Sequence, residues 1–454
     1  MGLEQFRFEG CVEKMSVITL NGGKRLSGKI KLHGAKNSVL PILAATALCD
    51  GVSVIHNCPD LSDVNAAISI LEHLGAKIKR EGETLTVNST AINSFEIPDE
   101  LMRRMRSSIV FLGAMISRSG KATLSSPGGC ELGPRPIDLH LASLKELGVT
   151  ISENHGFLEC NAENGLVGSE ISLAFPSVGA TENIILTAVK AKGKTVIHNA
   201  AKEPEISDLA DFLNSAGANI QGAGSDTVEI YGVKKIVSAE HRVISDRIEA
   251  STYLSAAAVT GGKITLINTV PAHLTPVLSV FKNAGCDFSV TSNTVTLSAP
   301  TRIKRVPVIR TLPYPGFPTD AGSAVIAMLC LADGTSMFVE SIFENRYKFV
   351  DEIKRLGAVI NTNGRVAVIE GVKKLSGASV MCTDLRGGAA LVVAGLAAYG
   401  ETVIDKTEHI DRGYQDLVEN FALLGADIKR SKEWEENIPQ KTHENPIRNF
   451  EEKV

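Results

Sequence analysis

Residues 74–78 read Leu74-Gly75-Ala76-Lys77-Ile78, and this short motif returns five more times at intervals of roughly seventy residues. Each copy closes a predicted helix, and its glycine suits the left-handed conformation that often follows a helix. A regular period of this kind is typical of proteins built from repeated structural units. The sequence therefore predicts six equivalent units, and the other copies lie at residues 147–151, 216–220, 284–288, 356–360 and 424–428.

Every unit follows the same order of predicted elements. A helix rich in small apolar residues comes first, as at residues 38–48 and 321–331, and an amphipathic helix such as residues 64–74 comes later. Short alternating segments, such as residues 84–87 and 366–369, indicate further strands. Between the helices runs a β-branched strand that begins with glycine, at residues 51–55, 120–124, 193–197, 262–266, 334–338 and 400–404.

The first helix of each unit is apolar on nearly every face, which predicts that it is buried beneath sheets. We therefore expect an α/β fold of two inside-out α/β domains, each made of three repeated helix-strand units. Helices would lie inside and sheets outside. The interdomain cleft is the expected place for an active site.

The composition argues against several classes of protein. The 454 residues carry a formal net charge of -4, which does not favour a nucleic acid or an anionic membrane as the main partner. The N-terminal residues do not resemble a signal peptide, and the longest apolar run, residues 38–49, is too short to span a bilayer. Eight cysteines without a Cys-x-x-Cys pair favour reduced thiols. We expect a cytoplasmic protein with no membrane, nucleic-acid or obligate protein partner.

Polar and charged residues recur at the start of each first helix. Helix N-termini present unpaired N–H groups and a positive dipole end, so several of them facing one cleft would bind an anionic ligand. The alternative at any one position is an ordinary N-cap, a role that Asp246, Asp320 and Ser107 could each fill. The residues concerned are Lys36-Asn37, Arg106-Ser107-Ser108, Gly179-Ala180-Thr181, Asp246-Arg247, Thr319-Asp320 and Asp384-Leu385-Arg386.

The loops before the second helices carry another charged set. Arginine's planar guanidinium group suits carboxylates and phosphates. Taken singly, however, an arginine is more often a surface or salt-bridge residue. The loop segments are residues 61–63, 127–136, 203–205, 343–346 and 409–414.

The loop around Cys130 is the most distinctive segment. Three glycines and three prolines indicate an irregular loop, and Pro136 suits the first turn of a helix over residues 137–147. Arg135 and the helix start would favour the Cys130 thiolate, whereas the alternative is an inert buried cysteine. No Cys/His set has zinc spacing, and no P-loop, dinucleotide fingerprint or G-x-S-x-G motif is present. We therefore expect no metal and no cofactor.

Six segments carry a family resemblance: Gly34-Ala35-Lys36-Asn37, residues 127–140, Phe317-Pro318-Thr319-Asp320, Phe343-Glu344-Asn345-Arg346, Thr383-Asp384-Leu385-Arg386 and His409-Ile410-Asp411-Arg412-Gly413-Tyr414. Together they closely resemble the UDP-N-acetylglucosamine enolpyruvyl transferases, a family of 1-carboxyvinyltransferases, and the resemblance runs from about Val17 to Arg430. It implies one domain of residues 16–35 with 246–430 and a second domain of residues 36–245 that carries the Cys130 loop. Residues 1–15 would be an extension, and the charged residues 431–454 are predicted to be disordered.

The resemblance also implies an activity and a set of site residues. The enolpyruvyl group of phosphoenolpyruvate would pass to the 3-hydroxyl of UDP-N-acetylglucosamine by addition and elimination, with release of phosphate, as the first committed step of peptidoglycan synthesis. Cys130 would be the proton donor and the target of fosfomycin. Catalysis would involve Cys130, Asp320, Lys36 and Arg412, and phosphoenolpyruvate would meet Lys36, Asn37, Arg135 and Arg412. The sugar nucleotide would meet Arg106, Arg135, Pro136, Ile137, Asp138, Leu139, Ser177, Val178, Gly179, Asp320 and Ile342, with Arg346, Asp384 and Arg386 as other charged cleft residues.

One position departs from the family pattern. Some members place a nucleotide-binding lysine just before the segment that begins at Ser177, but here Phe175-Pro176 stand there. Uridine binding at this point would depend on backbone and ring contacts. Three alternatives stay open: a shikimate-pathway enolpyruvyl transferase, against which the Cys130 loop speaks; a DNA clamp, which 47 basic against 51 acidic residues do not favour; and a non-catalytic paralogue that binds the UDP-sugar.

Overall fold

The computed structural model describes residues 16–105, 107–125 and 137–432, and these residues form two hydrophobic cores. Core 1 is built from residues 39–243. Core 2 joins residues 18–32 to residues 248–428. The chain therefore passes between the cores twice. Within the described residues, no helix is long and apolar enough to cross a membrane.

Three successive units enclose core 1. Their strands are β3 (Val52–His56), β4 (Lys77–Glu81), β5 (Thr84–Asn88), β6 (Glu96–Ile97), β7 (Lys121–Ser125), β8 (Thr150–Asn154), β9 (Phe157–Asn161), β10 (Glu170–Ser172), β11 (Lys194–His198), β12 (Asn219–Gln221), β13 (Thr227–Tyr231) and β14 (Glu240–Arg242). Their helices are α1 (Lys36–Thr46), α2 (Ser62–Leu74), α3 (Asp99–Arg104), α4 (Phe111–Ser119), α5 (Asp138–Glu146), α6 (Val178–Ala188) and α7 (Pro204–Ser215), with a 3-10 turn at Ser108–Val110.

The other three units enclose core 2. Their strands are β1 (Ser16–Asn21), β2 (Ser27–Lys31), β15 (Lys263–Ile267), β16 (Asp287–Val290), β17 (Thr294–Ser298), β18 (Val308–Arg310), β19 (Thr335–Val339), β20 (Val359–Asn363), β21 (Val366–Glu370), β22 (Leu375–Ser376), β23 (Ser379–Met381), β24 (Ala398–Tyr399), β25 (Glu401–Asp405) and β26 (Asp427–Lys432). Their helices are α8 (Arg247–Val259), α9 (Thr275–Asn283), α10 (Thr319–Leu329), α11 (Val350–Arg355), α12 (Leu385–Ala397) and α13 (Leu417–Leu423), with 3-10 helices at Pro271–Leu274 and Thr407–Arg412.

The repeat predicted from the glycine motif is confirmed. The motif glycines have φ between +89° and +109° at Gly75, Gly148, Gly217, Gly285, Gly357 and Gly425. The helices predicted to lie inside are buried along almost their whole length, as in α1 and α10. Both begin two residues earlier than predicted, at Lys36 and Thr319. The first turn of a helix tolerates polar residues because its N–H groups have no partner within the helix, so these polar side chains sit on rigid helix ends instead of loops.

The sheets form two closed cycles of three. Among the described strands, each of six four-stranded sheets takes one parallel edge strand from the unit before it. In core 1 the last of these strands, β14, returns to pair with β3 of the first unit. In core 2 strand β1 pairs with β25 and β26 of the last unit, and β2 then pairs with β15. The six sheets have the orders β14-β3-β5-β4, β6-β7-β9-β8, β10-β11-β13-β12, β2-β15-β17-β16, β18-β19-β21-β20 and β23-β25-β1-β26.

The two crossings between the cores run side by side. The Ala35 N–H donates to the Ile244 carbonyl (2.7 Å), and the Asp246 N–H donates to the His33 carbonyl (2.9 Å). Gly34 lies so close to its neighbour that a Cβ atom there would be 1.8 Å from the Asn57 carbonyl oxygen. The crossings therefore hold the starts of α1 and α8 against each other.

Candidate active site

Asp246 fixes the starts of two helices where the cores meet. Its Oδ1 accepts hydrogen bonds from the N–H groups of Ile248 (2.7 Å) and Glu249 (2.9 Å), and Oδ2 accepts one from the Lys36 N–H (3.1 Å). The N-cap alternative is therefore confirmed for this aspartate. By joining α8 to α1, the cap orients the Lys36 side chain.

Lys36 and Arg412 share one buried carboxylate, Asp63. The Lys36 Nζ lies 3.2 Å from Asp63 Oδ2, and the Arg412 Nε lies 3.0 Å from Asp63 Oδ1. The side chain of Asp63, at the start of α2, is only 2% exposed. Burial alone would raise the pKa of Asp63, but Lys36 and Arg412 more than offset this and hold that pKa below its usual value. Asp63 is therefore ionised at neutral pH.

Arg346 and Arg386 share a second carboxylate, Asp320. The Arg346 Nη2 donates to Asp320 Oδ1 (2.6 Å), and the Arg386 Nη2 donates to Asp320 Oδ2 (3.1 Å). Asn37 Nδ2 also reaches this second oxygen at 3.4 Å. The N-cap alternative is wrong for Asp320, because Pro318 precedes α10 and the Asp320 carboxylate binds side chains. Burial opposes ionisation, yet the two guanidinium groups hold the pKa of Asp320 far below its usual range.

The two carboxylate clusters lie next to each other. Burial lowers the pKa of the Lys36 ammonium group, and the charges of Arg386 and Arg412 lower it further, while Asp63 and Asp320 oppose the change. Both clusters include residues from both cores. In the first, Lys36 on α1 and Arg412 of the 3-10 helix Thr407–Arg412 meet at Asp63. In the second, Asn37 on α1 reaches Asp320 on α10. The structure thus brings together four of the predicted cations.

Two of these buried cations keep unused hydrogen-bond donors. The Nε atom of Arg346 and the Nε and Nη1 atoms of Arg386 have no hydrogen-bond partner among the described residues. The Arg386 guanidinium group also lies 5.4 Å from the centre of the Tyr414 ring. Since a buried charged donor without an acceptor is costly, these atoms are suited to an anion that enters from outside the chain.

Asp384 and Ser177 cap helices as well as lying in the predicted site. Asp384 Oδ1 accepts from the N–H groups of Arg386 (3.0 Å) and Gly387 (2.9 Å), and the Ser177 hydroxyl accepts from Ala180 (3.3 Å). Ser107 precedes the 3-10 turn without capping it through its side chain. A direct role of Asp384 or Ser177 toward a ligand stays a prediction.

Two predicted nucleotide-binding segments lie at the starts of adjacent helices. Residues 137–139 enter α5 and residues 177–179 enter α6. The helices are joined by His140 Nδ1 and Asn183 Nδ2, which lie 2.9 Å apart. Helix α5 runs over residues 138–146, one residue shorter at each end than predicted. Phe175, just before the second segment, is 43% exposed.

Ile342 is held by a carboxylate that the sequence did not single out. Buried Glu340 accepts hydrogen bonds from the Ile342 N–H (2.7 Å) and from the hydroxyl groups of Thr311 (3.0 Å) and Thr319 (2.8 Å). The Ile342 N–H is therefore occupied, and its carbonyl is the group left for a ligand contact. Glu340 lies outside every recognised motif, so only its partners reveal its role.

Four of the predicted site residues, Cys130, Arg135, Pro136 and Arg106, lie outside the described residues. On either side of the Cys130 segment, the described chain stops at Ser125, the last residue of β7, and resumes at Ile137, just before α5. In the first unit the equivalent connection leads from β3 to Asp63, and in the last unit it leads from β25 to Arg412. In these two described units, charged residues of the site therefore follow the strand at the start of the next helix.

Metal binding finds no support in the described side chains. No group of three or more His, Cys, Asp or Glu residues in that part of the chain is placed to hold a metal ion.

Comparison with known proteins defines the class. The sequence profile of the EPSP synthase (3-phosphoshikimate 1-carboxyvinyltransferase) family matches residues 20–421. The solved enolpyruvyl transferase NikO from Streptomyces tendae is similar in structure, with a TM-score of 0.83 and 27% identity over 92% of this chain and 100% of its own. The chain thus belongs to the enolpyruvyl transferases in sequence and in fold, and the alternative of a DNA clamp is wrong.

Two curated relatives narrow the class. The UDP-N-acetylglucosamine 1-carboxyvinyltransferase 2 of Caldanaerobacter subterraneus subsp. tengcongensis is 53% identical over 92% of this chain and 100% of its own. The UDP-N-acetylglucosamine 1-carboxyvinyltransferase 1 of Symbiobacterium thermophilum is 50% identical over 90% of this chain and 94% of its own. Within the EPSP synthase family, this chain belongs to the UDP-N-acetylglucosamine 1-carboxyvinyltransferases.

Proposed function

We propose that this protein transfers the enolpyruvyl group of phosphoenolpyruvate to the 3-hydroxyl of UDP-N-acetylglucosamine and releases phosphate, the first committed step of peptidoglycan synthesis. The observation that carries the proposal is the pair of adjoining clusters in which Lys36 and Arg412, and Arg346 and Arg386, surround two carboxylates. Phosphoenolpyruvate carries two anionic groups, a phosphate and a carboxylate, and both are attached to the same carbon of its double bond. A site with two pairs of cations matches those two charges.

Each cation pair is assigned to one of the two anionic groups of phosphoenolpyruvate. Lys36 and Arg412 take the phosphate, together with Arg135. Arg386 and Arg346 take the carboxylate, for which their unused Nε and Nη1 donors are available. The two cores serve as the two domains, joined at residues 35–36 and 245–246, and closure of one against the other brings these donors onto the substrate.

Asp320 is the proposed base for the sugar 3-hydroxyl, but it is a weak base in the unliganded site. Burial raises the pKa of Asp320, but the positive charges of Arg386 and Arg346 outweigh burial and hold this pKa far below the usual range. A substrate carboxylate that shares these two arginines adds a negative charge beside Asp320 and raises its pKa. Asp320 therefore gains basicity when phosphoenolpyruvate is bound, which favours proton removal in the complete ternary complex.

The reaction then proceeds in two steps. Cys130 gives its thiol proton to the methylene carbon of phosphoenolpyruvate, and the sugar oxygen bonds to the adjacent carbon while Asp320 accepts the hydroxyl proton. In the second step the Cys130 thiolate takes a proton back from the new methyl group, the carbon–oxygen bond to phosphate breaks with release of inorganic phosphate, and the enol ether remains. Cys130 must begin protonated, so the negative charge of the bound substrates has to offset the effect of Arg135 on its pKa.

The sugar nucleotide is assigned to the neighbouring helix starts. Residues 137–139 and 177–179 bind the nucleotide, and the Ile342 carbonyl accepts a hydrogen bond from the sugar. The exposed ring of Phe175 stands where some relatives carry a lysine, and it offers a flat apolar surface for uracil. We also assign the protein to the cytoplasm, which the free state of the six described cysteines supports.

The test is release of inorganic phosphate from phosphoenolpyruvate with UDP-N-acetylglucosamine, compared with shikimate 3-phosphate and with the Cys130→Ala variant. Release only with the UDP-sugar, and its loss in the variant, is the expected result. Release only with shikimate 3-phosphate would favour the shikimate-pathway enzyme. Binding of the UDP-sugar without release would favour the non-catalytic paralogue.

A further inference from the structure

Asp63 has no part in the chemistry proposed above, yet it contacts both cations assigned to the substrate phosphate. Its two oxygens lie 3.2 Å from Lys36 Nζ and 3.0 Å from Arg412 Nε. Carboxylate and phosphate oxygens accept hydrogen bonds from the same cationic donors. The phosphate position is thus already neutralised by a group of the chain itself.

We propose that Asp63 is an internal counter-anion, which neutralises Lys36 and Arg412 in the empty cleft and is displaced from Arg412 when a phosphate group binds. Asp63 is then a positioning residue that sets the affinity of the site for phosphate and assists release of the phosphate product. The inference rests on the proposed function in one respect, since that function makes phosphate the ligand of these cations.

Burial indicates which of the two contacts opens. The side chains of Asp63 and Lys36 are 2% and 12% exposed, whereas that of Arg412 is 33% exposed. Asp63 and Lys36 both belong to the units around core 1, while Arg412 comes from the 3-10 helix Thr407–Arg412 of the units around core 2. The contact that opens is therefore the one to the more exposed Arg412 guanidinium group, and the contact between Asp63 and Lys36 stays in place.

A second contact joins the segments next to Asp63 and Arg412. The Asp60 N–H, just before α2, donates to the Gln415 side-chain oxygen at 2.8 Å, three residues after Arg412. The link uses no charged side chain, so it holds these segments together without fixing the Arg412 guanidinium group. Arg412 is therefore able to exchange one anion for another while its backbone stays near α2.

The charges around Lys36 determine how removal of Asp63 depends on pH. Asp63 from α2 and Asp320 from α10 face this ammonium group, and so do the cations Arg386 from α12 and Arg412. Burial already lowers the pKa of Lys36, and loss of the Asp63 charge lowers that pKa further. Without Asp63 the site therefore carries one negative charge fewer, and Lys36 gives up its proton at a lower pH than in the wild type.

The experiment compares the wild type with Asp63→Asn in calorimetric titrations with inorganic phosphate at pH 6.5 and pH 9. The matched control is Asp411→Asn, which removes the neighbouring carboxylate that pairs with Arg430 at 2.7 Å. At pH 6.5, Asp63→Asn should bind phosphate about tenfold more tightly than the wild type, the size of one charged hydrogen bond regained by the ligand. Asp411→Asn should stay within about twofold of the wild type.

At pH 9 the gain in Asp63→Asn should shrink, and comparison with the wild type at the same pH cancels the titration of phosphate itself. In turnover, the variant should show a lower KM for phosphoenolpyruvate and stronger inhibition by phosphate, with a smaller change in kcat. If Asp63 only supported the local structure, Asp63→Asn would instead have a higher KM for phosphoenolpyruvate and weaker inhibition by phosphate. Phosphate binding by Asp63→Asn that equals or falls below that of the wild type would overturn the inference.

A measurement on the wild type keeps the inference testable if Asp63→Asn does not fold. Crystal structures with and without inorganic phosphate should differ in the Arg412 Nε to Asp63 Oδ1 distance, which opens from 3.0 Å, while Lys36 stays beside Asp63. An unchanged distance with phosphate bound to Arg412 would overturn the inference but leave the proposed function intact. Failure of the wild type to bind phosphate or to use phosphoenolpyruvate would overturn both.

Discussion

Replacement of Asp320 by asparagine should destabilise the fold more than any exposed charge change. The Asp320 carboxylate pairs with Arg346 at 2.6 Å and with Arg386 at 3.1 Å, and both arginine side chains are at most 4% exposed. Asp320→Asn keeps the shape but leaves two buried cations without a counter-ion. Breaking a buried pair in this way costs about 3–5 kcal/mol. Since Asp320 itself is 26% exposed and an amide oxygen can still accept one bond, we expect the lower end, about 3 kcal/mol.

The measurement is urea or thermal unfolding of Asp320→Asn beside the wild type. A loss of about 3 kcal/mol lowers the unfolding midpoint by roughly 6–12 °C for units of this size. The matched control is Asp333→Asn, because Asp333 pairs with Arg302 at 3.5 Å on the exposed surface. That control should lose less than about 1 kcal/mol.

Ligand binding separates the electrostatic reasoning from a general loss of packing. Phosphoenolpyruvate brings a carboxylate to the two arginines, so it should raise the midpoint of Asp320→Asn more than that of the wild type. Phosphate release by the variant should fall at least about a hundredfold, because the proposed base is lost. A stability loss below about 1 kcal/mol, or equal stabilisation of both proteins by the ligand, would refute the reasoning.

Three further predictions test other features. In urea unfolding, Gly34→Ala should lose more than about 3 kcal/mol of stability, because its Cβ would lie 1.8 Å from a backbone carbonyl oxygen. The control Gly82→Ala, which has open space around it, should lose about 1 kcal/mol. Because the pKa of Asp63 is lower in the folded protein, its carboxylate should contribute stability that is complete above the pKa of the unfolded carboxyl group and is lost as the pH falls toward the pKa of the folded protein. Stability measured against pH should therefore fall less steeply in acid for Asp63→Asn than for the wild type. Alkylation of the native protein and treatment with fosfomycin should add mass at Cys130 and spare the six described cysteines, which are buried. One of these is Cys49, whose pKa is raised by burial to about 11. Mass spectrometry of digests would contradict this prediction if Cys49 reacted as fast as Cys130.

The repeat could be predicted from sequence because its signals are local. A glycine at the end of each second helix and an apolar first helix depend on backbone conformation and burial within one unit, and both were confirmed. The starts of α1 and α10 were placed two residues late because Lys36-Asn37 and Thr319-Asp320 are polar. Only packing reveals that such residues extend a buried helix toward a cleft.

The partners within the site could not be predicted, because they depend on contacts between distant units. Asp63 stood out in a charged loop, but nothing in that loop indicates that it lies between Lys36 and Arg412, separated by 27 and 349 residues. Asp246 and Asp320 both precede or begin a helix, and their sequences do not distinguish a cap from a side-chain pair. The structure assigns the first to a cap and the second to two arginines.

Each of the two carboxylates in the site neutralises one pair of cations. Asp63 neutralises one pair of cations and Asp320 neutralises the other, so the empty cleft does not leave four buried or half-buried cations uncompensated. A ligand with a single anionic group can replace only one of these carboxylates, and the other cation pair stays occupied. A ligand with a phosphate and a carboxylate on the same carbon would replace Asp63 at Arg412 and share the arginines of Asp320, which would raise the pKa of Asp320 as the ligand binds. Under the proposed mechanism, the substrate that fills the site therefore also raises the pKa of Asp320, the proposed base, and the charge arrangement favours a ligand with two anionic groups.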